Sequence, residues 1–136
     1  MPRMGSFRVV LALMLAGLLV SSCSSGGTSV TGEITKKDRM AIPPDSVVTV
    51  ELRDISLADA PAMVLASQVI EMDGNQLPVP YELPYDENEI DERNTYTVFS
   101  RIDSGGRLIY ITDTVYPVIT NGAPTEEVMV FVVQAG

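Results

Sequence analysis

Apolar and polar residues alternate with a period of two along most of this chain, in short runs, and that pattern restricts it to β structure. In "SVVTVELRDI", residues 46–55, Val48, Val50 and Leu52 fall on one face, while Thr49, Glu51 and Arg53 fall on the other. Six more runs read as strands: "SVTGEITK", "VLASQVIEM", "VPYELPY", "TYTVFSRI", "RLIYITDT" and "EVMVFVVQ". No run carries a helical period. "SLADAPAMVLASQ" leaves room for one helical turn, but Pro61 stops a long helix there. Pro80 and Pro84 cannot donate to a ladder, so the fourth strand is expected to be short or to lie on an edge. Turn signals separate the runs: "DGN" at 73–75, "DSGG" at 103–106 and "NGAP" at 121–124. The glycines of "DSGG" suit the positive φ of a tight hairpin between the fifth and sixth strands. Seven short strands with turns at such spacing predict an all-β domain, a single seven-stranded antiparallel β-sandwich of the immunoglobulin-like kind, over residues 29–136. Tyr96, opening the fifth strand after a polar run, is placed to cap a backbone group as the tyrosine corner of such sandwiches does.

The first 22 residues have a different character. Arg3 and Arg8 precede the twelve-residue apolar run Val9–Val20, which is too short to span a bilayer as a helix and suits the core of an export signal. Ser21 and Ser22 are the small residues of a cleavage site, and Cys23, the single cysteine, follows at once. Val20-Ser21-Ser22-Cys23 resembles the lipobox of bacterial lipoproteins. In that family the cysteine sulfur receives a diacylglycerol, the signal is cut before it, and the new amine is acylated. The resemblance implies lipidation at Cys23, and several acyl chains on one residue make a stable anchor. Ser24, where an Asp retains enterobacterial lipoproteins in the inner membrane, points by analogy to the outer membrane. The expected organisation is a signal peptide over 1–22, the lipidated cysteine and a Gly/Ser linker over 23–28, and the β domain over 29–136.

Composition removes most chemistry. Losing Arg3 and Arg8 with the signal leaves 114 residues with seven basic against 18 acidic side chains, a formal charge of −11. Such a domain repels phosphate backbones, so nucleic acid is not an expected partner. There is no His, hence no His-based triad, general base or metal ligand, and with Cys23 acylated there is no disulfide or thiol chemistry. "DSGG" matches the run around a serine nucleophile, but nothing can activate Ser104, and the turn reading takes it. "DENEIDE", Asp86–Glu92, begins like a calcium loop with Asp86 and Asn88, then fails at Ile90 and at Asp91, where Gly is required; it reads as a solvated acidic loop. No cofactor, metal or enzyme activity is expected. The last run, Val128–Val133, is apolar on both faces, which fits a central strand buried between covers better than an exposed edge adding a partner strand.

Three stretches together, "AIPPDSVVTVELRDISLADAPA", "PVPYELPYDENEIDERNTYTV" and "GRLIYITDTVYPVIT", resemble the YbaY-like lipoprotein family, related to the YscW type III secretion lipoprotein chaperone, or pilotin. The similarity runs from about Val30 to Val133. Its most specific parts are Ile42-Pro43-Pro44, Asp54-Ile55-Ser56 through Asp59-Ala60-Pro61, and Thr112-Asp113-Thr114. The resemblance implies a β-sandwich that acts by binding, with no catalytic motif. The expectation is an outer-membrane-anchored, periplasm-facing lipoprotein that chaperones a secretin or another envelope protein. The alternative is a general envelope lipoprotein that binds a small molecule, lipid or cell-wall component, and it requires an enclosed apolar pocket.

Overall fold

The computed structural model describes residues 28–136. The strands are β1 (Thr28–Lys36), β2 (Val47–Asp54), β3 (Met63–Glu71), β4 (Val79–Tyr85), β5 (Tyr96–Ser104), β6 (Arg107–Ile111), β7 (Pro117–Val118) and β8 (Val128–Gln134). A 3-10 turn, Glu87–Glu89, lies between β4 and β5. The expected strands are all present, with ends shifted by a few residues.

The domain is all-β, but its arrangement departs from the expected seven-stranded antiparallel sandwich. There are eight strands in one continuous sheet, in the order β3-β2-β5-β6-β8-β1-β4, with β7 pairing β5. The sheet curls into a nearly closed barrel, its two end strands β3 and β4 facing one another. β1 and β8 run parallel, in register from Gly32 opposite Val128 to Lys36 opposite Val132. Two causes account for the differences. β7 is two residues long and begins at a proline, so it leaves no alternation to read. A parallel pair between the first and last strands depends on contacts nearly a hundred residues apart, and period-two patterning carries no direction.

Gly32 makes the parallel pair feasible. A Cβ at this position would sit 1.9 Å from the Val128 carbonyl oxygen, so only hydrogen lets the last strand dock here. The Tyr81 hydroxyl donates to the same carbonyl at 2.9 Å, and Thr31 N–H donates to Thr125 O at 2.9 Å. The inward residues fill the barrel: Val30 and Ile34 from β1, Val48, Val50 and Leu52 from β2, Leu83 from β4, Val98 and Ile102 from β5, and Val130 from β8 are all buried. Each such side chain contributes about 1.5–3 kcal/mol of apolar burial.

One end of the barrel carries Thr28 together with the loops 54–62, 86–95 and 119–127. The other carries 36–46, 72–78 and the β5–β6 hairpin, where Gly105 and Gly106 take positive φ as the turn requires. Tyr96 caps its neighbourhood as expected: its phenol oxygen accepts from Asp91 N–H, five residues upstream, at 2.9 Å. At the opposite end Lys36 points inward with only 8% of its side chain exposed. Its ammonium donates to the Asp38 carboxylate at 2.6 Å and to the carbonyl of Met40, while the Tyr110 hydroxyl donates to Asp38 at 3.1 Å.

Candidate binding surface

The outer face of β8 is apolar. Met129, Phe131 and Val133 point outward on alternate positions, and Met129 and Val133 are 45% and 39% exposed. The strand is central, as its composition suggested, but only its inner face is covered. It also offers no free edge: β1 lies on one side and β6 on the other.

The β6–β8 ladder is short, with Tyr110 opposite Gln134 and Ile111 opposite Val133. Beyond Ile111 the chain leaves β8 and follows β5, with Thr112 N–H donating to Ser100 O and Val98 N–H donating to Tyr116 O. The gap this leaves beside β8 is bridged by one phenol. Tyr116 Oη accepts from Phe131 N–H at 3.0 Å and donates to Phe131 O at 3.3 Å, satisfying both backbone groups that a ladder would have used. Residues Thr112–Val115 therefore form a ridge between β5 and β8.

A cleft lies on each side of that ridge. The first, about 320 Å³, is lined by Arg53, Ile55, Thr97, Val98 and Phe99 against Thr112–Val115. The second, about 480 Å³, is lined by Lys37, Asp38, Tyr116 and Phe131–Gln134 against Asp113 and Thr114. Both are open to solvent. Each holds an aromatic ring with a cation laid over it: Arg53 Cζ is 3.6 Å from the centre of the Phe99 ring, and Lys37 Nζ is 5.2 Å from that of Phe131. Arg53 is pinned in place by Glu51, at 2.7 Å from Nε to Oε1. Val115 stands half-exposed on the ridge between the two. Polar and charged residues make up about half of each lining, alongside the aromatic and aliphatic ones, and volumes in this range are of a size to receive side chains. The barrel interior, by contrast, is filled by the buried residues named above.

Charge is distributed unevenly. The ion pairs Lys36–Asp38, Arg53–Glu51, Arg93–Asp91 and Arg101–Asp103 each join residues two apart. Among the described residues, the cations outside them, Lys37, Arg39 and Arg107, lie toward the end remote from Thr28. The loops at the Thr28 end hold nine carboxylates (Asp54, Asp59, Asp86, Glu87, Glu89, Asp91, Glu92, Glu126 and Glu127) and one cation, Arg93. Arg93 is committed to Asp91, whose carboxyl it holds down at about 2. Burial pushes Asp54 up, but hydrogen bonds from Ser56 Oγ–H, Ser56 N–H and the Asn94 amide outweigh it and leave it lowered. The Lys36 ammonium likewise lowers Asp38.

The one site residue expected from sequence, Cys23, lies outside the described residues, as do the signal segment 1–22 and the linker up to Gly27. Ser104 serves the fold: its hydroxyl donates to Asp45 at 2.6 Å. Among the described residues no group of three or more His, Cys, Asp or Glu side chains is placed to hold a metal ion. Of Thr112-Asp113-Thr114, singled out by the resemblance but given no binding role, Asp113 and Thr114 wall both clefts and Thr112 the first. Its signal in the sequence is a polar interruption straight after an apolar strand, which alone does not distinguish a ridge from an ordinary turn.

Comparison with known proteins gives a consistent relationship. The model of the family described as type III secretion system lipoprotein chaperone (YscW) matches residues 25–130. The uncharacterized lipoprotein YbaY of Escherichia coli (strain K12) is 35% identical over 106 residues, which cover 78% of this chain. That alignment spans 56% of the length of YbaY. An alternative pilotin from the type II secretion system of Vibrio cholerae is similar in structure, with a TM-score of 0.73 and 41% identity over 80% of this chain and 99% of the pilotin.

Proposed function

The chain belongs to the YscW family of type III secretion system lipoprotein chaperones, and from that premise we propose that it is a lipid-anchored, pilotin-like chaperone of an envelope or secretion protein. The observation that carries the reading is the exposed apolar ground on either side of the 112–115 ridge. Exposed Val115 and Val133, with the partly buried rings of Phe99 and Phe131, form an apolar surface outside the filled interior. The client is an envelope protein, with a secretin subunit the first candidate, and its apolar side chains enter the two clefts. Acylation of Cys23 anchors the protein in the outer membrane with the barrel facing the periplasm. Family membership and the order of apolar run, small residues and cysteine support that placement. The small-molecule alternative required an enclosed apolar pocket; the clefts are open and the barrel is packed, so no observation favours it.

A photo-crosslinking side chain introduced at Val115 tests the site in the native envelope. The proposal predicts an adduct with an outer-membrane assembly subunit from this position and none from Glu71, at the far end of β3. Equal adducts from both positions, or none from Val115, would remove the clefts from the account. The anchor is tested separately with Cys23→Ser, which should yield a soluble or signal-retaining product. A variant that stays acylated and membrane-bound contradicts it.

A further inference from the structure

Leu57, Met63 and Val64 project from the Thr28 end of the barrel. Leu57 is 74% and Met63 is 69% exposed. Ala58, Ala60 and Pro61 are exposed on the same loop, which joins β2 to β3 and carries one charge, Asp59. The loop is not slack chain. Ile55 N–H donates to Thr95 O at 2.9 Å, Asp54 accepts from Ser56 and Asn94, and Thr95 N–H donates to Ser56 Oγ at 2.8 Å. A hydrogen-bonded base therefore holds an apolar tip out from the domain. Single exposed apolar residues are ordinary; a contiguous group on a fixed loop marks a contact surface.

Where the chain leaves the domain says what covers this tip. Thr28 pairs with Tyr85 at the end of β4, and β4 faces β3, which begins at Met63. β3 thus begins at the same end of the barrel as Thr28, with only β4 between them. Cys23 lies five residues before Thr28, a reach of at most roughly 18 Å when fully extended. A bilayer that holds acyl chains on Cys23 is therefore within that distance of Thr28, at the end of the barrel that carries the Leu57 loop. We propose that the loop Ser56–Val64 is a second, non-covalent membrane contact, with Leu57 and Met63 entering the interfacial layer of the bilayer in which Cys23 is anchored. The inference rests on the anchor reading above. The tether makes the second contact effectively intramolecular, so a small apolar tip suffices. Two contacts fix the orientation of the barrel and keep the 112–115 ridge on its flank, open toward proteins alongside.

Charge decides which lipid surface is accepted. The nine carboxylates at this end are repelled by an anionic surface within about one Debye length, roughly 8 Å at physiological salt. The contact is therefore favoured with neutral or zwitterionic headgroups, and where anionic lipid is present added salt strengthens it by screening the repulsion, opposite to the behaviour of basic peripheral proteins.

The acylated cysteine has no free thiol, so Leu57→Cys provides a single labelling site in the full lipidated chain. An environment-sensitive fluorophore there, in phosphatidylcholine vesicles, should shift to the blue and be quenched by spin-labelled lipid. The same label on Arg107→Cys, at the opposite end, should do neither, and Met63→Cys should repeat the result for Leu57→Cys. Adding phosphatidylglycerol at low salt should weaken the quenching, and high salt should restore it. Water-like emission from all three sites on a chain that floats with the vesicles overturns the membrane contact while leaving the anchor intact. Quenching or protection only in native envelope membranes assigns the tip to a protein and overturns it too. A chain that does not float at all removes the anchor reading and this inference with it.

Discussion

Gly32 has a Cβ position already occupied by the backbone of Val128, so the barrel tolerates no side chain there. Gly32→Ala must push β8 away from β1 and should cost about 3 kcal/mol or more, read as a lowered midpoint in urea; an unchanged midpoint would show that the parallel pair is not formed as described. Ser100 is the reverse case. It is fully buried on the inner face of β5, and its hydroxyl has no hydrogen-bond partner among the described residues. An unpaired buried hydroxyl carries a desolvation cost, so Ser100→Ala should stabilise by about 1 kcal/mol; a loss of stability would mean that the hydroxyl has a partner. Neither effect is legible in the sequence. A glycine in a strand reads only as a weak spot, and a serine in an alternating run reads as either face. What decides each is a neighbour distant along the chain.

At the level of elements, the sheet protects the β4 end of its strand order. The backbone positions of β4 that face β3 are Pro80, Glu82 and Pro84. The two prolines have no N–H to offer, and Glu82 N–H donates to the Gln68 side chain from β3 at 2.8 Å. No donor is left on that edge for another strand, a common defence against edge-to-edge pairing. Replacing Pro80→Val, Pro84→Val and Gln68→Ala together should restore donors and produce concentration-dependent dimers or aggregates in sedimentation; a strictly monomeric triple variant would contradict this role. The prolines were readable as edge markers, and the fourth strand is indeed terminal in the sheet. The alternation also located the other strands closely, because one buried face imposes period two wherever the strand lies. It could not show that β1 and β8 run parallel, nor that the outer face of β8 lacks a cover. Direction and covering belong to the pairing of distant segments, and the run Val128–Val133 has the same composition whichever way it is covered.

For the whole molecule, the carboxylates determine the response to acid. Asp38, Asp54 and Asp91 all have folded pKa values below 3.8, with Asp91 at about 2. A depressed carboxylate stabilises the fold above its unfolded value and loses that contribution as pH falls through the folded one. Denaturant midpoints should therefore drop as pH falls from about 4 towards 2, and Asp54→Asn should flatten the drop while lowering stability at neutral pH. An identical pH profile in the variant would exclude Asp54 from the linkage. The same acidity, together with the absence of His, is legible in the sequence alone and is the ground for expecting neither nucleic-acid binding nor His-based catalysis. The ridge and clefts were not foreseeable in this way, since they arise where β6 parts from β8 after two residue pairs.

Client binding by the anchored barrel is read out by a crosslinked pull-down of the full-length, lipidated protein from its native envelope. It should be run beside Val115→Asp and Phe131→Ser, which alter the clefts at partly exposed positions. The account predicts enrichment of a secretin or another outer-membrane assembly subunit with the unaltered protein, and its loss with both variants at unchanged thermal stability. A preparation in which the unaltered protein brings down no envelope subunit, or in which both variants retain it fully, would contradict the account.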